Sequence, residues 1–130
     1  MAQRRFRFLT LGIPAIDAEH MILAGYIDAL TILISYDDMT TSSTVEALIG
    51  YFHRHAADEE VLMLATQYDR HEAKAHKLEH TRVLAETRKA LVKPALTMAD
   101  LDAGVAILEM HIATFDKLIA KFLNDPLSEP

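Results

Sequence analysis

Five of the seven histidines in this chain stand with one glutamate and one aspartate on or beside the positions that helix periodicity assigns to a buried core. His20 lies within Ile16, Leu23, Ile27, Leu30 and Ile34, whose steps of three and four residues trace one helix face. A second face reads Leu48, Phe52, His55, Glu59, Leu62, Thr66, and a third offers His76 and His80 before Val83, Thr87 and Leu91. A fourth reads Leu101, Gly104, Leu108, His111, Phe115, Leu118, Phe122, with Asp116 beside the seam. A carboxylate or imidazolium is too costly to bury unless it is paired, neutralised or bound to metal. Imidazole nitrogens and carboxylate oxygens together suit transition-metal cations, and seven such groups in one core call for them.

The elements that must position these groups are four helices, over about 16–36, 44–66, 70–92 and 97–123, behind an N-terminal arm over 1–15. Ser43 with Glu46, and Asp69 with Glu72, have the spacing of capping boxes, and Thr97 is a cap for the fourth helix. Lys93-Pro94 stops the third helix and Asn124-Asp125-Pro126 the fourth. Loops this short make neighbouring helices antiparallel, so the expected fold is all-α, a single-domain up-down-up-down four-helix bundle. Counting about 1.5 Å of rise per residue from each loop puts all seven groups in one layer. His55/Glu59 and His76/His80 are i, i+4 pairs on one face. His111 and Asp116 are five apart, about 140° round a regular helix. Asp116 must therefore reach back along the groove, or the helix must widen locally as a π-bulge does. The residues at i+3 and i+4, Thr114 and Phe115, offer no better ligand.

A structural zinc site would use four ligands, not seven. A ferritin-like di-iron plan needs Glu-x-x-His on each of two helices, and the nearest approach here is Asp17-x-x-His20. The segment Gly12-Ile13-Pro14-Ala15-Ile16-Asp17-Ala18-Glu19-His20, the H-x-x-x-E-E-x-x-M pattern from His55 to Met63, His76-x-x-x-His80 and His111-Ile112-x-x-x-Asp116-Lys117 together resemble the hemerythrin family of non-haem di-iron dioxygen carriers, over nearly the whole chain. The resemblance implies that His76, His80 and His111 hold one iron and His20 and His55 the other. It also implies that Glu59, Asp116 and an oxo or hydroxo group bridge the two. The second iron is then one ligand short, and dioxygen, nitric oxide or peroxide would bind there. The choice of iron over manganese rests on the resemblance.

Two positions depart from the family pattern: Ala56 stands where Phe is frequent, and Ile107 where Trp is frequent. With Leu23 and Ile112 these form the expected ligand pocket, and the smaller groups predict a roomier or wetter one. The leading expectation is reversible dioxygen binding for storage, delivery or scavenging. The alternatives are a di-iron oxidase, peroxidase or nitric oxide reductase on the same scaffold, or a sensor, which lacks a fused output domain.

Net charge −6, from 13 basic and 19 acidic side chains, disfavours nucleic acid and anionic membrane as partners. Arg4, Arg5 and Arg7 form a basic arm whose Phe6, Phe8 and Leu9 are expected against the bundle. The apolar run that follows is broken at Asp17, Glu19 and His20, too soon for an export signal or a membrane span. The chain has no cysteine, which removes thiolate chemistry and fits a cytoplasmic location. His53 and His71 are assigned to solvent or helix ends, Glu60 to the periphery of the site or the surface, and Met63 to the core. Asp17 is expected either to orient His20 or to cap its helix.

Overall fold

The computed structural model describes Phe6 and residues 10–124. These contain no strand and five α-helices: α1 (Pro14–Ser35), α2 (Thr41–Ala65), α3 (Arg70–Leu91), α4 (Met98–His111) and α5 (Lys117–Asn124). A π-helical segment, Ile112–Asp116, joins α4 to α5, so the expected fourth helix is one rod of three parts. Each long helix packs against the next, and α4 also packs on α1, which is compatible with an up-down-up-down bundle. Arg4, Arg5, Arg7, Phe8, Leu9, Asp125 and Pro126 lie outside the described residues, whereas Phe6 is buried in the core.

Local chemistry sets the helix ends. Pro14 opens α1, where its missing N–H costs nothing. Asp17 takes the backbone N–H groups of Leu11 (2.9 Å) and Gly12 (3.1 Å), so it anchors the turn ahead of α1 and does not orient His20. Gly12 sits at φ +82, which favours glycine, and the Asn124 amide donates to the Leu11 carbonyl, tying the arm to the end of α5. Asp69 caps α3 by accepting from His71 and Glu72, and Thr97 with Asp100 forms a reciprocal capping box on α4.

The Ser43/Glu46 box does not form. Asp38 takes the N–H and hydroxyl of Thr40, α2 therefore starts at Thr41, and the Ser43 hydroxyl donates to the Thr40 carbonyl inside the first turn. Glu46 instead reaches Arg88 of α3 at 3.2 Å.

The core runs through Leu23, Ile27, Leu30, Leu48, Phe52, Val83, Leu101 and Leu108, all essentially inaccessible, and Met63 joins Tyr68 and Ile119 in a smaller cluster. Ile34, Leu62 and Thr66 lie at its edge, half-buried. By length and composition α1 could cross a membrane, because its apolar run resumes at Met21 and its exposed residues Ala18, Met21, Ile22, Gly25 and Ile32 carry no charge. A core helix of a soluble bundle passes the same test, and α1 buries Ile16, His20, Leu23, Ala24, Ile27 and Leu30.

The π segment corrects the inward face at the end of the rod. Bonds from i to i+5 put residue i+5 where an α-helix puts i+4, so the segment acts as one inserted residue. Inward positions after His111 move on by one. Asp116 and Ile119 are buried, Phe115 is half-buried, and Leu118, expected inside, is 45% exposed. Deleting the exposed Ala113 should therefore let the rod close as a regular α-helix with Asp116 and Ile119 still inward, leaving the thermal midpoint close to that of the parent. Deleting the exposed Ala106 within α4 should turn everything after it by about 100° and abolish cooperative melting. If the two deletions melt alike, the register account is wrong.

Candidate metal centre

All seven expected ligands converge. His20, His55, Glu59, His111 and Asp116 have no accessible surface, and His76 and His80 almost none. α1 supplies His20, α2 supplies His55 and Glu59, and α3 supplies His76 and His80. The rod supplies His111 from α4 and Asp116 from the π segment, whose widened turn is what brings a residue five positions on to the same layer.

The ring nitrogens are oriented in one sense. The Nε2 atoms face inward, and the carboxylate oxygens are divided among them. Asp116 Oδ1 lies 3.0 Å from Nε2 of both His76 and His111, while Oδ2 lies 3.1 Å from Nε2 of His20 and 3.6 Å from Nε2 of His55. Glu59 Oε1 stands 3.0 Å from His80 Nε2, 3.4 Å from His55 Nε2 and 3.5 Å from His76 Nε2. Two overlapping groups result, Glu59-His76-His80-His111-Asp116 and His20-His55-Glu59-Asp116, each with donor atoms within 4.8 Å of one another and each able to hold a metal ion. Glu59 and Asp116 belong to both.

The donors fit cations better than they fit each other. His55 Nε2, His76 Nε2, His111 Nε2, Glu59 Oε2 and Asp116 Oδ1 are buried with no aligned hydrogen-bond partner among the described residues, although Asp116 Oδ1 lies so close to two of the nitrogens. Lone pairs that converge without pairing are what a set of metal ligands looks like.

Without metal, the two carboxylates favour protons on three of the histidines. Burial disfavours the imidazolium of His55, but Asp116, Glu19 and Glu59 outweigh it and raise its pKa to about 10. Against the same penalty, Asp116 and Glu59 raise His111 to about 9 and shift His76 upward. Burial and the charge of Asp116 push Glu59 up, yet its contacts with His111, His76 and His80 bring it down to about 2. Asp116 is lowered well below the usual range by His111, His20, His55 and His76, although burial opposes this.

Two kinds of residue escaped the sequence reading. The first is an aromatic wall: the Phe52 ring lies 5.8 Å from those of His55 and His111 and 6.2 Å from that of His80, and Phe115 stacks on His111 at 5.8 Å. Phe52 is three positions before His55 on the face already traced, so that signal was available. The second is a set of outer carboxylates. His55 Nδ1 donates to Glu19 (2.6 Å) and His80 Nδ1 to Glu60 (2.9 Å), while Glu79 stands 3.6 Å from His111 Nδ1. Glu60 was placed at the periphery, but Glu19 and Glu79 were not singled out.

Of the expected pocket residues, Leu23, Ile112 and Ala56 are buried, and Ile107 is half-buried at the edge of the core. Ala56 also lines a groove of about 190 Å³ between α2 and α3, shared with Ala57, Glu60, Lys77 and His80. His53 and His71 are exposed. No family model, curated protein or solved structure matches this chain.

The shifts give the metal-free protein a defined pH profile. The raised histidines add stability that is complete below their unfolded pKa of about 6.5 and lost as pH rises through about 9 to 10. The lowered carboxylates add stability present above their unfolded values of about 4 and lost as pH falls through the native ones. The chelated protein should melt highest between about pH 4.5 and 6.5 and progressively lower toward pH 10. Bound metal requires neutral imidazoles, so the gain in midpoint on adding metal should widen over the same rise in pH. A metal-free midpoint that climbs from pH 6 to 9 would contradict the protonated cluster.

Proposed function

We propose that this chain is a hemerythrin-like, up-down-up-down bundle that holds two iron ions and binds dioxygen reversibly as a soluble cytoplasmic protein. The single observation that carries this reading is the division of donors into two groups with Glu59 and Asp116 common to both. A carboxylate whose two oxygens face different donor groups, as those of Asp116 do, would hold two like-charged ions side by side and offset their repulsion. His76, His80 and His111 would complete one iron, and His20 with His55 would serve the other, leaving it short of a donor.

When bound, two ferrous ions supply the electrons and the open coordination position that reversible dioxygen binding uses. The chain's own residues supply orientation and dryness. Phe52, Leu23 and Ile112 are buried in the core beside the ligands, and Phe115 stacks on His111. Excluding water in this way retards oxidation of the ferrous pair and loss of the bound gas. The groove past Ala56 favours a second reading, a di-iron oxidase or peroxidase, because it lets solvent reach the edge of the site at His80.

Protein made with ample iron should contain two iron ions per chain. On mixing the anaerobic ferrous form with air, a carrier gives a lasting charge-transfer band and an oxidase a transient one. One ion per chain, or zinc at full occupancy, would sink the di-iron reading.

The Ala56→Phe substitution fills the groove and should prolong the band several-fold. Overpacking can cost about 1–3 kcal/mol, so the thermal midpoint has to be followed alongside. An unchanged lifetime in a well-folded variant would mean that water does not enter past Ala56.

A further inference from the structure

Glu19, Glu60 and Glu79 each sit next in sequence to a ligand, and none is a ligand itself. Glu19 precedes His20 on α1, Glu60 follows Glu59 on α2, and Glu79 precedes His80 on α3. Each faces a histidine of the next helix, and the first two hydrogen-bond to it. Glu19 accepts from His55 of α2, Glu60 accepts from His80 of α3, and Glu79 stands at 3.6 Å from His111 of α4.

The alternation of before, after, before has a geometric cause. Adjacent residues project about 100° apart, so when a ligand points to the bundle axis its neighbour points into the groove beside the next helix. Reversing the helix direction exchanges the two sides. In an antiparallel series the acid must therefore stand at i−1, then i+1, then i−1 to face onward each time, as these three do. They are also well shielded, with side chains 14%, 29% and 10% exposed in chain order. Arg82 clamps Glu79 through two nitrogens at 2.6 and 2.9 Å, which holds its carboxylate in place.

We propose that Glu19 and Glu60 are positioning residues of an outer carboxylate ring, each fixing the Nδ1–H of the next helix's histidine so that its Nε2 is presented to metal, while Glu79 holds the corresponding place beside His111 without hydrogen-bonding to it. The inference rests on the two-metal reading above. A ring nitrogen held as N–H by a carboxylate sets the tautomer, restricts ring rotation and makes the opposite nitrogen more basic. The ring is divided between the two groups. Glu60 serves His80 of the three-histidine group, whereas Glu19 serves His55 of the other, so the two metal positions should respond to different acids.

Cobalt(II) titration of the metal-free protein, followed by calorimetry and visible absorption, tests this without any dioxygen chemistry. Glu19→Ala should weaken one of the two positions by about 10- to 100-fold and spare the other, and Glu60→Ala should weaken the opposite one. Glu19→Gln and Glu60→Gln keep an acceptor and should restore most of the loss. In ¹⁵N-labelled zinc-loaded protein, the Nδ1–H signals of His55 and His80 should move only in the alanine variant of their own partner.

Alanine variants that bind both cobalt ions as tightly as the parent, with unmoved ring signals, would overturn the ring. So would equal weakening of both positions together with a lower midpoint of the chelated protein, since that is what a merely structural role gives. If the parent itself takes up fewer than two cobalt ions, the two-metal reading fails instead.

Discussion

Two carboxylates without accessible surface, set among five imidazoles, are the constraint on which this molecule turns. Neither Glu59 nor Asp116 can remain there bare, and each has only histidines, the other carboxylate or a cation for company. Protons on His55, His76 and His111 satisfy the charge but leave nitrogens and oxygens facing one another without alignment. Cations between them would satisfy both charge and geometry. Because the donors come from α1, α2, α3, α4 and the π segment, the same contacts that fill the centre also lock the helices at one height.

Much of this arrangement is legible in the chain because helix periodicity and loop length are local properties. The inward faces of α1 to α3 follow from steps of three and four, and the common layer follows from counting rise from each loop. The π segment is legible as one of two alternatives, since His111 and Asp116 five residues apart cannot share a regular helix face, and the structure takes the widened turn. Its consequence was missed: the count that placed Leu118 inside ran straight through the widened turn as if it were α-helical, while the structure buries Ile119. Ser43 misled for a related reason. A capping spacing says that a helix can start there, but Asp38, five residues upstream, starts it sooner. The outer acids Glu19 and Glu79 depend on which neighbour each helix faces, and a single face pattern does not contain that. The recurrence of an acid beside a ligand on three successive helices was the available sign.

The two donor groups are unequal, and the inequality bears on what solvent can do. Under the proposed reading the group with three histidines is complete and the group with His20 and His55 is short of a donor. The groove past Ala56 meets the complete group, at His80, where Glu60 already occupies the outer nitrogen. Solvent arriving there meets the back of a ligand rather than the position short of a donor. The Phe52 ring is near both His80 and His55. Hydration from this side therefore acts first on the His80–Glu60 contact and on how firmly that ring is held, which under the same reading would place the balance between carrier and oxidase in the packing of Ala56, Glu60 and Phe52 rather than in the ligands themselves.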